Sequence, residues 1–208
     1  MLEEVQEISL MSHYLWNSSL VMAEYIQEEK FQMANKTVLE LGSGAGLPGI
    51  LAAKMGASVC LSDYPDPVIT ANLAHNVNEN FHDPARCKVV PHAWGTDVKD
   101  LLESNSGALF DVILLSDVVW ISDQHKNLLE TCTKTLCSHG RVYLTCGVHS
   151  GWQCVERFLQ LAHDSFGLAH NLVERRTHQS WGAHAAEAID DIALRNRTIF
   201  VYEFWYNR

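Results

Sequence analysis

The chain has 208 residues, 47% hydrophobic and 19% charged, which is enough apolar sequence for one globular domain with its own core. A formal net charge of -10 leaves no basic stripe for nucleic acid, and no apolar run reaches the length of a membrane helix, so neither partner is expected. The six cysteines (Cys60, Cys87, Cys132, Cys137, Cys146 and Cys154) never stand in C-x-x-C spacing and the eleven histidines show no H-E-x-x-H, so a reduced core and no metal are expected.

The opening MLEEVQEISLMSHYLW is acidic where a secretory signal would be basic and then apolar, which predicts a cytoplasmic protein, with the nucleus also open to it. In WNSSLVMAEYIQEEKF, Trp16, Leu20, Ala23 and Ile26 or Gln27 fall at helical spacing and predict a covering helix. From Val38 to Gly147 short apolar runs alternate with helical stretches, the pattern of a parallel sheet with helices on both faces. Strands are predicted at 37–41, 57–62, 87–91, 111–116 and 140–147, with helices at 47–55, 66–79 and 123–138. A helix at 152–165 follows, then LAHNLVERRT and RTIFVYEFWYN, two strands with no helix between them. SNSG at 104–107 and GAHAAEAIDD at 182–191 read as loops. The fold class is therefore α/β: a Rossmann-like, doubly wound, seven-stranded sheet with a C-terminal antiparallel strand. One domain spans 1–208, with a covering segment at 1–36, a cofactor-binding core at 37–147 and a C-terminal helix and strand pair at 148–208.

The candidate chemistry sits at strand ends, where open α/β sheets bind ligands. Gly44-Ala45-Gly46-Leu47-Pro48-Gly49 fits the dinucleotide pattern G-x-G-x-x-G, while Glu40 followed by the alternating Gly42, Gly44 and Gly46 suits S-adenosylmethionine. Glycines there let the backbone turn sharply and approach a ligand, and Glu40 can accept from a donor or orient the loop. Asp63, about 20 residues on, can accept from both ribose hydroxyls, and Asp66 suits a helix cap. Trp94 and Gly95 offer a flat indole and a close backbone where an adenine would lie. Asp117 and Trp120, after the fourth strand, can hold and pack a cationic amine, although Asp117 as a helix cap and Trp120 as core remain open. Ser122 or Asp123 suits that cap better, and His149 and Trp152 occupy the matching loop after the fifth strand.

In this order, Glu40 to Gly46, Asp63, Trp94-Gly95 and Asp117 to Trp120 resemble the seven-strand S-adenosylmethionine-dependent methyltransferases. More narrowly, the chain resembles the methyltransferase-like protein lysine methyltransferases often called family 16, over nearly its whole length. That resemblance implies S-adenosylmethionine as cofactor, with Trp16 in the leading segment LWNSSLVMAEYI and Ser116 joining the cofactor contacts. It also implies that Asp117 and Trp120 face the acceptor amine. DYPDP is similar to a nicotinamide N-methyltransferase-like branch, some of whose members methylate translation elongation factor 1-alpha. Trp120 stands where the group usually has tyrosine or phenylalanine, and His92-Ala93 where an acidic residue is more usual. The expected protein is a monomeric N-methyltransferase for a lysine or N-terminal amine of a basic protein. A small-amine or nicotinamide methyltransferase and a non-catalytic binding module are the alternatives.

Overall fold

Apolar residues alternate along the central strands so that one face of the sheet buries Leu39, Leu41, Ile113 and Leu115 and the other buries Val38, Val112 and Leu114. The computed structural model describes residues 12, 14–81, 86–177 and 198–207. Its elements are α1 (Asn17–Gln27), β1 (Thr37–Leu41), α2 (Leu47–Lys54), β2 (Ser58–Ser62), α3 (Pro67–Asn80), β3 (Cys87–Val89), α4 (Lys99–Ser104), β4 (Phe110–Ser116), α5 (His125–Thr135), β5 (Leu136–Cys146), α6 (Trp152–Phe166), β6 (Leu168–Thr177) and β7 (Thr198–Tyr206). The strand order is β3-β2-β1-β4-β5-β7-β6, parallel through β5, with β7 antiparallel to both of its neighbours. Helices α1, α2 and α3 cover one face; α4, α5 and α6 cover the other. The order reverses direction at β1 and β4, and the loops leaving those two strands open the crevice that holds the site.

Several boundaries depart from expectation. The helix foreseen at 123–138 begins as a 3₁₀ turn at Ser122–Gln124 and stops at Thr135, with β5 starting at Leu136. Thr131, Thr133 and Thr135 each bond a carbonyl one turn back, which weakens helix continuation, and Leu136 pairs with Phe110 instead. Neither Ser122 nor Asp123 caps α5, whose N-cap Gln124 makes no side-chain cap bond. Asp66 does cap α3, accepting from Val68 N and Ile69 N at 2.8 and 3.2 Å. The third strand ends at Val89, two residues before Pro91, which has no N–H to donate. Helix α4 has no counterpart among the predicted elements; with six residues and one buried side chain, Leu101, it is too short to show a period. Trp16 precedes α1 as its N-cap, and the buried set is Ser18, Val21, Met22, Ala23, Tyr25 and Ile26, a broader face because α1 touches both α2 and the sheet. The loop expected at 182–191 lies outside the described residues.

Candidate active site at the sheet crossover

The turn after β1 is held by β2: Gly42 N and Ser43 N both donate to Ser62 O, at 2.8 and 3.0 Å, and Ser62 N returns a bond to Ser43 Oγ at 3.0 Å. Gly42, Gly44 and Gly46 take φ of +70°, +52° and +80°, left-handed values that a side chain would strain. Gly46 then starts α2 as its N-cap, so the loop ends on a helix N-terminus. Asp63, just past β2, accepts from Gly44 N through Oδ2 and from Tyr64 N through Oδ1, both at 2.7 Å. Each oxygen keeps a lone pair, enough for two adjacent hydroxyls. Burial pushes the Asp63 carboxyl above its usual range, against the two backbone donors.

Two residues expected beside the cofactor, Glu40 and Gly95, do not line the cavity. Glu40 is buried behind the loop and does not line the cavity; its Oε2 accepts from Gly49 N at 3.0 Å, while Oε1 has no hydrogen-bond partner. Strand alternation aims it at α2 rather than along the strand, and burial pushes its carboxyl up to about 8. A Cβ on Gly49 would stand 2.2 Å from Leu61 Cδ2 and 2.6 Å from Glu40 Oε2, so the last glycine of G-x-G-x-x-G serves close helix packing. Gly95 likewise packs on α5: its N donates to Thr131 Oγ1 at 2.9 Å, and a Cβ would meet Asn127 at 2.7 Å.

Across the crevice, Asp117 follows β4 with φ of +59° and only 7% exposure. It caps no helix. Its Oδ1 accepts from Gly147 N at 3.2 Å, and its Oδ2 lies 2.9 Å from His149 Nε2. His125 Nε2 and Cys154 Sγ reach Val119 O at 2.7 and 3.1 Å, and Ser150 Oγ donates to Trp120 O at 3.2 Å. Thus the 117–120 turn is pinned to α5, α6 and the loop after β5. Trp120 is 38% exposed and lines the cavity, so it is not core. Trp152 turns away and packs on Phe200, with ring centroids 4.8 Å apart. His149 stands behind the wall, edge-on to Trp16 at 5.6 Å.

Between these walls lies a cavity of about 680 Å³, within the ordinary range for small-molecule sites. Gly42, Gly44, Gly46, Asp63, Trp94, Ser116, Asp117, Trp120 and Trp16 all line it. Of the residues singled out in the sequence, Glu40, Gly95, His149 and Trp152 stand outside the lining. Asp66 and Asp123 add carboxylates to the lining, which among the described residues contains no lysine or arginine. Sequence reading missed Ser12, Tyr14 and Leu15, which close the site from the N-terminal side; a Cβ on Gly44 would come within 3.1 Å of Ser12 O. It also missed the Ser43 bridge and the Asp117–His149 pair. Among the described residues no cluster suits a metal ion, and all six cysteines are free. The two open acceptor oxygens of Asp63, the left-handed loop and the Trp94 indole fit an adenosyl group carrying a ribose diol.

Comparison with known proteins is consistent with that fit. A family model described as lysine methyltransferase matches residues 2–163. The chain is 42% identical over 129 residues to the protein N-terminal and lysine N-methyltransferase efm7 of Schizosaccharomyces pombe, covering 60% of this chain and 50% of that one. To the protein of the same description in Eremothecium gossypii it is 30% identical over 206 residues, covering 93% and 76%. The chain thus spans about half the length of the first of these relatives. In solved structures, the magnesium protoporphyrin IX methyltransferase of Synechocystis PCC 6803 with bound SAM superposes with a TM-score of 0.61 at 12% identity, over 91% of this chain and 78% of that one, a likeness of fold.

Proposed function

The chain belongs to the lysine methyltransferase family, and on that premise we propose that it transfers a methyl group from S-adenosylmethionine to an amine of a protein, either a lysine side chain or an N-terminus. One observation carries this reading: a single cavity has a diol-accepting carboxylate, Asp63, on one wall and a buried carboxylate beside an indole, Asp117 and Trp120, on the other. The cofactor supplies, when bound, a methyl group on a cationic sulfur.

The loop backbone and Asp63 would hold the adenosyl part, with Trp94, Ser116 and Trp16 closing around it. An unperturbed lysine has a pKa near 10.4, so less than about 0.1% is neutral at neutral pH, and the amine must shed a proton before it reacts. Apolar walls disfavour the ammonium; Asp117 accepts an N–H and orients the amine, and Trp120 packs on its carbon chain. Asp117 positions rather than abstracts. Carboxylates at Asp66 and Asp123, with no lysine or arginine among the described lining residues, favour a basic acceptor segment over a neutral small molecule. We propose translation elongation factor 1-alpha as such an acceptor, met by a monomeric enzyme in the cytoplasm.

The test is incubation with tritium-labelled S-adenosylmethionine and either a cell lysate or nicotinamide. Label in a lysate protein at lysine or the N-terminal residue supports the reading. Label in nicotinamide alone overturns it.

A further inference from the structure

Asp117 has a partner for which methyl transfer as described above has no use. His149 lies 32 residues along the chain and meets Asp117 Oδ2 at 2.9 Å, while Gly147 N holds the other oxygen. We propose that His149, as an imidazolium, is a positioning residue for the transfer: it fixes Asp117 and offsets its charge, so that the carboxylate orients a neutral amine instead of holding an ammonium. The inference rests on the reading that Asp117 receives the acceptor.

The arrangement is built for that contact. A Cβ on Gly147 would fall 2.8 Å from His149 Nε2, so only a glycine leaves room for the ring to lie there. On its other side the imidazole meets the edge of Trp16, which lines the cavity. His149 itself does not line it, and so acts through Asp117 and Trp16. Asp117 is held in a left-handed backbone conformation that an ordinary residue seldom keeps without support from its surroundings. Two of its acceptor positions are filled and others stay open for an N–H of the substrate.

Electrostatics give the pair its consequence. A bare buried carboxylate would favour the charged form of any amine beside it, which binds the acceptor but keeps it protonated and unreactive. Pairing with an imidazolium removes most of that bias. The hydrogen bond to Asp117 raises the pKa of His149, burial opposes the rise, and the first effect is larger. From the turn after β4 the charged neighbour is Asp117; from the residue before α1 the neighbour is the neutral Trp16; from the loop after β5 it is the Gly147 backbone. Behind Asp117 lies the Cys146 thiol, which burial keeps protonated.

The experiment compares wild type with His149→Gln, His149→Ala and Asp117→Asn. Each is checked for S-adenosylhomocysteine affinity by calorimetry, then assayed with tritium-labelled S-adenosylmethionine and serial dilutions of lysate protein across a pH series. The limiting wild-type rate should climb with pH and level off as His149 loses its proton, above its ordinary value near 6.5. His149→Gln should lack that levelling and run roughly tenfold slower on the acid side, with cofactor affinity within about threefold of wild type. NMR of the labelled imidazole should show His149 titrating above its ordinary value in wild type and falling toward it in Asp117→Asn. If both His149 variants keep the wild-type rate and pH profile while Asp117→Asn is inactive, this inference falls and the role of Asp117 stands. If Asp117→Asn is fully active, the reading beneath it falls as well.

Discussion

The glycine loop presents backbone atoms from five consecutive residues, 42 to 46, whereas the wall facing it is held by side chains arriving from positions 117, 125, 149, 150 and 154. The first needs only local geometry: three left-handed glycines and a neighbouring strand whose Ser62 carbonyl takes two N–H groups. The second depends on β4, β5 and the two helices after them being in place. A wall of the first kind fails by strain or crowding; one of the second kind fails by loss of a partner and leaves the fold standing. Substitutions should therefore separate the two.

The largest effect is expected at Asp117. Asp117→Ala should lower methyl transfer at least ~10²-fold with cofactor affinity within a few-fold of wild type, since misplacing the amine by even about 1 Å costs that much. A folded, cofactor-loaded Asp117→Ala protein working at the wild-type rate would sink the division of the cavity into two walls. On the opposite side, Gly49→Ala should destabilise the fold by about 1–3 kcal/mol, because its methyl would stand 2.2 Å from Leu61 Cδ2. Urea unfolding measures it, and an unshifted midpoint would mean that α2 can move off the sheet freely.

Asp63→Ala should weaken S-adenosylmethionine binding by about 1–3 kcal/mol without unfolding the protein, as ribose hydroxyls lose charged acceptors. It also removes the Gly44 N–H partner, so the loss tests whether side chain and loop act together. Calorimetry giving an unchanged affinity would reduce Asp63 to a brace. Glu40 sharpens the contrast through pH. Its folded pKa of about 8 lies above its ordinary value of 4.5, so the acid form stabilises the fold fully below about 4.5, and that contribution is lost as pH rises through 8. Glu40→Gln should flatten this stability loss, whose slope reaches at most about 1.4 kcal/mol per pH unit. Equal slopes in the two proteins would show that Glu40 ionises freely where it stands.

Legibility in the sequence follows the same division. The alternation of strands and helices, the antiparallel end and the loop at 42–46 were readable because alternation and glycine spacing are local signals. Glu40 was misplaced because a strand-end carboxylate reads the same whether it points into the cavity or under the helix. Gly95 was misread for a related reason, since a left-handed glycine can serve a ligand or a neighbouring helix, here Asn127 on α5. The Asp117–His149 pair carries no spacing signal at all. Residues 32 apart meet only because β4 and β5 run parallel and end at the same level. Early termination of α5 was likewise hidden, because it turns on Leu136 finding Phe110 across the sheet.

The smallest expected change concerns Trp120, where the two walls meet solvent. As a core residue its truncation to alanine would cost about 3–5 kcal/mol, but at 38% exposure on the cavity rim much of that cost disappears. Trp120→Ala should therefore melt within a few degrees of wild type while transferring methyl groups more slowly, since the amine loses the flat surface against which it packs. Trp120→Phe keeps an aromatic face and the backbone carbonyl to which Ser150 donates. It should hold both melting temperature and cofactor affinity and retain transfer within a few-fold. The pair of variants separates surface from support: activity lost in alanine and kept in phenylalanine assigns the indole to the acceptor's side of the cavity. Equal loss in both, with the fold intact, would mean that the wall needs the full indole, and that tryptophan at this position selects the substrate.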